Sequence, residues 1–254
     1  MPSIRVDFPG SLGAQLAGRL DTPDSAPRAW ALFAHCFTCS KDTKAAAWIA
    51  RALAGAGYGG LRFDFTGRGG NDGDFAHTHF SSNVDDLVAA ADWLAGTHGA
   101  PALLVGHSLG GAAVLAAAHR VPSSVAVATI GAPFDPAHVT HQFGTGASVI
   151  ASEGQAELTL GGRPFTIRRA FLDDVQGQPQ AERIGALRRA LLVMHAPEDD
   201  VVGVDSARQI FEAARHPKSF VALDGASHLL DRADDAAFAA ELIAVWARRY
   251  LPAA

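Results

Sequence analysis

The sequence predicts an α/β fold: a mostly parallel central sheet with helices on both faces and a small insertion late in the chain. Three observations carry that prediction. Short apolar runs alternate with helical patterns from residue 29 onward, as successive strand–helix–strand units require. The run "PALLVG" (101–106) is too uniformly apolar for a strand with one wet face and suits a central parallel strand covered on both sides. The alternation then breaks between about Ala132 and Arg189 before resuming, which marks a segment inserted over the sheet.

Taken in order, Ile4, Val6 and Phe8 and then "AQLAGRL" (14–20) predict antiparallel edge strands. "AWALFAH" (29–35) is the first core strand. "AAAWIARALAGAG" (45–57) is helical, with Trp48, Ile49, Leu53 and Ala56 on one face. "GGLRFDF" (59–65) is a strand, and "SSNVDDLVAAADWLAG" (81–96) a helix striped by Val84, Leu87, Val88, Ala91 and Leu94. After the strand at 101–106, "LGGAAVLAAAHR" (109–120) is a small-residue helix suited to close packing, and "SSVAVATIGAP" (123–133) is another strand. The insertion, at about 133–189, contains "AELTLGGRPFTI" (156–167), two short strands around Gly161-Gly162. The rhythm returns with "ALLVMHAPEDD" (190–200), a helix near 204–214 and the strand "SFVALDG" (219–225). A final helix near 234–250 is expected to turn Phe238, Leu242, Val245, Trp246 and Tyr250 inward. No repeat or flexible linker interrupts this plan, so one domain, residues 1–254, with a cap is expected.

With 254 residues, 48% of them hydrophobic, the chain can bury a sizeable core. Its formal charge of -5 and the lack of any Lys/Arg run give no footprint for nucleic acid or anionic lipid, so neither partner is expected. No apolar run is long enough to span a bilayer. "MPSIRVDFPG" lacks the apolar stretch of a secretory signal, and two cysteines make no disulfide framework, so a reduced cytoplasm is the expected location. The oligomeric state stays open between monomer and homodimer.

The strongest chemical signal is Gly106-x-Ser108-x-Gly110, placed where a strand ends and a helix begins. Such a turn is too tight for bulky neighbours, and it holds the hydroxyl above the sheet edge at a helix N-terminus. A serine of ordinary pKa needs a base, itself oriented by an acid. In the order Ser…Asp…His both lie downstream of Ser108. Asp199 and Asp200 follow one late strand and His228 the next, at the carboxyl ends where Ser108 also lies. The N–H of Leu109, directly after the serine, is the first donor for an oxyanion.

On these residues the chain resembles the α/β-hydrolase superfamily over nearly its whole length. In its esterases the late loop often reads H-G-x-x-D-x-x-V, matched by His195-Ala196-Pro197-Glu198-Asp199-Asp200-Val201-Val202 with Ala196 in place of glycine. That register selects Asp199 as the acid, and the family's closing G-x-x-H matches Gly225-Ala226-Ser227-His228. The family's H-G-F-T-G loop appears as His35-Cys36-Phe37-Thr38-Cys39, which gives the second oxyanion N–H to Phe37. Cysteine stands at both glycine positions, so each must adopt backbone angles that a Cβ tolerates. With "RFDFTGRGGNDGDF" and "NVDDLVAAADWL", the pattern is similar to feruloyl (cinnamoyl) esterases and to the hydrolase module fused to OsmC-like domains. No such second domain is expected, as the chain ends after the last hydrolase helix.

The resemblance implies hydrolysis of a small-molecule carboxylic ester through an acyl-enzyme, with no cofactor. The same triad acting on thioester, amide or C–C bonds is the alternative. Of another class are a non-catalytic binding module and a redox protein using Cys36 and Cys39. A substrate is expected to touch His107 in the elbow and Phe134, His138, His141, Phe143 and Phe165 in the cap, whose other apolar candidates include Val149, Ile150, Leu158 and Phe171.

Other signals are weaker. "GAGYGG" (55–60) precedes a strand and follows a helix, the reverse of a dinucleotide site. Asp64 precedes the nucleophile and fixes a turn, and Arg68 reads as a solvated loop residue. His77, His79, His138 and His141 lack the accompanying thiolates or carboxylates of a metal site, so no metal is expected. The C-x-x-C pair is not at a helix N-terminus and has no second pair. It reads as two small buried thiols, and replacing both by glycine is expected to leave esterase activity largely unchanged.

Overall fold

Alternate residues of the central strands enter two separate cores, which is why those strands carry no polar face. In β5 (Pro101–His107), Leu103 and Val105 join one core and Leu104 the other. In β9 (Ala190–His195), Leu192 and Met194 join the first, Leu191 and Val193 the second. All are buried, as parallel strands covered on both faces must be. The structure is a computed structural model, and it describes residues 1–69 and 74–251; the middle of the glycine-rich loop at 66–74 lies outside the described residues.

These strands belong to an eight-stranded sheet. With β1 (Ser3–Pro9), β2 (Gln15–Asp21), β3 (Ala29–Ala34), β4 (Tyr58–Phe63), β6 (Ala126–Ile130) and β10 (Lys218–Ala222), the order is β1-β2-β4-β3-β5-β6-β9-β10. Every pairing from β4 to β10 is parallel, whereas β1–β2 and β2–β4 are antiparallel, as read from the sequence. On one face lie α1 (Lys44–Gly55) and α8 (Ala233–Ala247). On the other lie α2 (Phe80–Thr97), α3 (Leu109–Ala117) and α7 (Asp205–Ala213). All nine residues of α3 are buried, which its small side chains permit.

The segment between β6 and β9 holds a 3-10 stretch (Pro136–Phe143), α4 (Gly146–Glu153), the hairpin β7 (Gln155–Leu160) and β8 (Arg163–Arg168), α5 (Arg169–Gln176) and α6 (Gln180–Gly185). The hairpin turns at Gly161 and Gly162, both with positive φ, the backbone that a two-residue connection between twisted strands needs. Phe143, Ile150, Ile167, Phe171 and Ile184 pack into the same core as α2 and α3.

The final helix departs from expectation. Phe238 and Val245 are 50% and 64% exposed, while Ala236, Ala239, Ala240, Ile243, Ala244 and Ala247 face inward. Leu242, Trp246 and Tyr250 pack at the margin of that core. The tight space beside α1 selects an alanine stripe over the bulkier apolar residues. Among the described residues, no helix is long and apolar enough to cross a membrane.

Candidate active site

The site begins at the junction of β5 and α3. Ser108 has φ 54°, a left-handed conformation that costs a non-glycine residue energy and turns the chain sharply. Its N–H donates to the Ile130 carbonyl at 2.8 Å, tying the turn to β6. A Cβ on Gly106 would lie 2.3 Å from the Gly110 carbonyl oxygen, and one on Gly110 would lie 2.3 Å from that of Ala34. Only glycine lets α3 start this close to β5 and cross the end of β3.

Ser108, Asp199 and His228 come together from the carboxyl ends of β5, β9 and β10, and all three are buried. The Ser108 hydroxyl stands 3.0 Å from His228 Nε2, and His228 Nδ1 is 2.7 Å from Asp199 Oδ2. This geometry assigns the ring proton to Nδ1, donating to the carboxylate and leaving Nε2 to accept from the hydroxyl. The other carboxylate oxygen accepts from the N–H groups of Val201 and Val202 at 2.9 and 2.8 Å. Burial by itself raises the Asp199 pKa, but the bonds from His228 and the two N–H groups, with the His228 charge, outweigh it and hold the carboxyl below its ordinary range. Asp200 is exposed.

Two further histidines brace the triangle. His107 Nε2 is 2.7 Å from the His228 carbonyl oxygen, and the two rings lie 5.4 Å apart. Burial, then the neighbouring His228, pushes His107 down to about 4, so its ring is neutral and Nε2–H donates. His195 likewise donates to the Val202 carbonyl at 2.7 Å, with burial lowering its pKa.

The second wall is the loop after β3. Neither Phe37 nor Leu109 donates its backbone N–H to a hydrogen bond among the described residues, and Leu109, as first residue of α3, has no intrahelical acceptor. The cysteines correct the sequence reading. They are not two thiols: Cys36 and Cys39 form a disulfide across the tight turn in which Cys39 N–H donates to the Cys36 carbonyl at 3.2 Å. That turn brings their Cα atoms to 5.1 Å, within disulfide range. Neither cysteine has positive φ, so the Cβ atoms are tolerated. Behind the loop, fully buried Asp64 accepts from Lys41 N and Nζ at 2.6 and 2.7 Å.

Arg68, read as solvated, is instead 5% exposed, its guanidinium carbon 4.5, 4.6 and 5.5 Å from the ring centres of Phe37, Phe75 and Phe165. The aromatic faces of the loop and the hairpin shield it from water. Burial lowers its pKa to about 9 despite the Asp64 carboxylate.

A cleft of about 230 Å³ opens over the serine, lined by Cys36, Phe37, Thr38, Ser108, Gln142, Val201, His228 and Leu229. None of the six candidate substrate contacts is among these. His107 lies beneath His228, and Phe143 is buried against Phe37 and Phe171. Phe165 packs on Phe75, and Phe134 and Phe165 both lie at the core margin. His138 bonds the Val201 carbonyl at 2.9 Å and meets the ring of exposed His141 edge-on. Gln142 and Leu229 were not singled out from the sequence, whereas Thr38 and Val201 stood in the two quoted loops.

As for ligating groups, Cys36, Cys39 and His107 offer atoms within 4.8 Å of one another, but both sulfurs are committed to the disulfide. His79 is engaged as the N-cap of α2, accepting from Ser82 N–H.

Known proteins share this arrangement of elements. Residues 25–153 match the family model described as serine aminopeptidase, S33. An esterase domain from a Rhodothermus marinus protein is 49% identical, over 99% of this chain and 100% of that domain, with a TM-score of 0.81. Est1E from Butyrivibrio proteoclasticus, solved with ferulic acid bound, gives a TM-score of 0.80 over 98% of this chain and 100% of its own, at 17% identity, a likeness of fold alone. An uncharacterised Mycobacterium tuberculosis protein is 30% identical over 190 residues, 74% of this chain; the match spans 59% of that relative's length. A monoacylglycerol lipase from Mycolicibacterium smegmatis is 25% identical over 234 residues, 81% of this chain and 82% of its own.

Proposed function

From the premise that the chain belongs to the serine aminopeptidase S33 family of α/β hydrolases, we propose that it is a serine esterase acting on small-molecule carboxylic esters. The observation that carries the reading is the hydroxyl–imidazole–carboxylate relay, 3.0 and 2.7 Å long, facing a cleft beside two unengaged N–H groups. The 49% identity to an esterase domain favours the ester bond.

In this reading His228 Nε2 takes the Ser108 proton as Oγ attacks the carbonyl carbon, and Asp199 stabilises the imidazolium. The N–H groups of Leu109 and Phe37 hold the oxyanion, a contribution of roughly 3–4 kcal/mol for one good donor. The imidazolium returns its proton to the departing alcohol. Water, deprotonated by His228, then attacks the acyl-serine and releases the acid. Residues 133–189 act as a cap on a single domain, with Gln142 contributing to the wall of the cleft.

A second reading follows from the family's description as serine aminopeptidases: the same relay cleaving an amide. Matched p-nitrophenyl ester and p-nitroanilide substrates separate the two. The ester is expected to turn over and the anilide not, and Ser108→Ala is expected to lower ester turnover by about 10⁴-fold or more with the fold intact. Undiminished turnover in that variant would sink the assignment.

A further inference from the structure

We propose that the Cys36–Cys39 disulfide is a thiol–disulfide exchange site that sets the activity of this enzyme through the oxyanion loop. The proposal rests on the reading of Phe37 as an oxyanion donor. It reverses the sequence-based expectation that both cysteines are dispensable.

The bond closes a four-residue ring whose interior is Phe37-Thr38, so it constrains the backbone of the proposed donor Phe37. Without it, the hydrogen bond that closes the turn among the described residues is Cys39 N–H to the Cys36 carbonyl, at 3.2 Å. Next to the bond stands His107, with a ring nitrogen within 4.8 Å of both sulfurs. That same ring holds the His228 carbonyl at 2.7 Å. Two separate thiols cannot stay at bonding distance, so opening the pair alters the packing against both the donor loop and the strut beneath the base.

Access is built in on one side. Cys36 is buried, whereas Cys39 is half-buried and lines a second cleft of about 320 Å³ with Thr43, Lys44, His107, Leu229 and Asp231. A dithiol reductant entering there attacks Cys39 Sγ as the thiolate, and Cys36 leaves as a thiolate that takes up a proton. The reductant's second thiolate then attacks the mixed disulfide, freeing Cys39 as a thiol and closing the reductant's own disulfide. Two electrons and two protons pass to the pair, and the dithiol is oxidised. The reverse exchange with an oxidised dithiol restores the bond.

The test equilibrates the folded chain in mixtures of reduced and oxidised dithiothreitol, counting free thiols and measuring p-nitrophenyl ester kinetics. Both thiols are expected to appear together while kcat falls about tenfold, a fraction of the loss from deleting a donor outright. KM is expected to stay within about twofold, because substrate binding does not use the oxyanion contact. Oxidised dithiothreitol is expected to restore kcat. The double variant Cys36→Ser, Cys39→Ser is expected to show the low kcat whatever the buffer; should it not fold, the wild-type series decides alone. Unchanged kcat with both thiols free would overturn the proposal, as would a bond that stays closed in reduced dithiothreitol while the chain remains folded. Ser108→Ala in the oxidised state keeps the two readings apart. Persistent turnover there removes the esterase mechanism, whereas Ser108-dependent turnover that ignores the reductant removes only the switch.

Discussion

His35 and His107 are buried and held at about 4, below the ordinary 6.5. Burial is the main cause in both, helped by Arg68 for His35 and by His228 for His107. The folded chain keeps these rings neutral, whereas the unfolded chain protonates them below about pH 6.5. Stability is therefore full above that pH and falls as the pH drops toward 4, by up to about 1.4 kcal/mol per pH unit for each ring. Urea denaturation at pH 7.5, 6 and 5 is expected to show this decline, and equal stability across the series would contradict it. Asp199, held low, adds a loss in the same direction at more acid pH. Ser108, Asp199 and His228, which meet in the structure, were legible because each sits beside a turn signature. The bond of His107 to the His228 carbonyl, and the places of Gln142 and Leu229 in the cleft, were not, because what these residues touch depends on distant loops. The disulfide was not legible, because a C-x-x-C pair away from a helix N-terminus and without a second pair reads as two buried thiols, and only the fold of the turn brings the two Cα atoms to 5.1 Å.

At the scale of elements, the turn from β5 into α3 is the tightest constraint. Gly106→Ala and Gly110→Ala each push a Cβ against backbone at 2.3 Å, with no flexible side chain to give way. Each is expected to lower stability by several kcal/mol or to block folding, read by thermal melts. Helix α8 supplies the opposite lesson. Ala240 is fully buried, so Ala240→Leu is expected to cost about 1–3 kcal/mol through overpacking. Val245→Lys, on the exposed side, is expected to change stability by less than about 0.5 kcal/mol. The reverse ranking in chemical denaturation would contradict the packing described. Periodicity located this helix to within a few residues but misjudged its inward face, because apolar size outweighed alanine spacing in the reading. The 156–167 hairpin was legible from its paired glycines.

For the whole molecule, the sheet order brings the ends of β3, β5, β9 and β10 to one edge, and the candidate site is what those four loops share. Strand–helix alternation carried most of this architecture, since both periods are local. The packing of the segment at 133–189 was beyond a sequence reading: Phe143 and Phe165, expected to touch substrate, and Phe171, expected within the cap, pack against the loop and the core. The central claim is that Ser108 is the nucleophile, and a fluorophosphonate probe tests it most directly. Peptide mass spectrometry of the labelled enzyme is expected to find one adduct per chain, on Ser108, with ester turnover lost in step and no adduct in His228→Ala over the same time. An adduct on another residue, or full ester turnover with Ser108 blocked, would contradict the account.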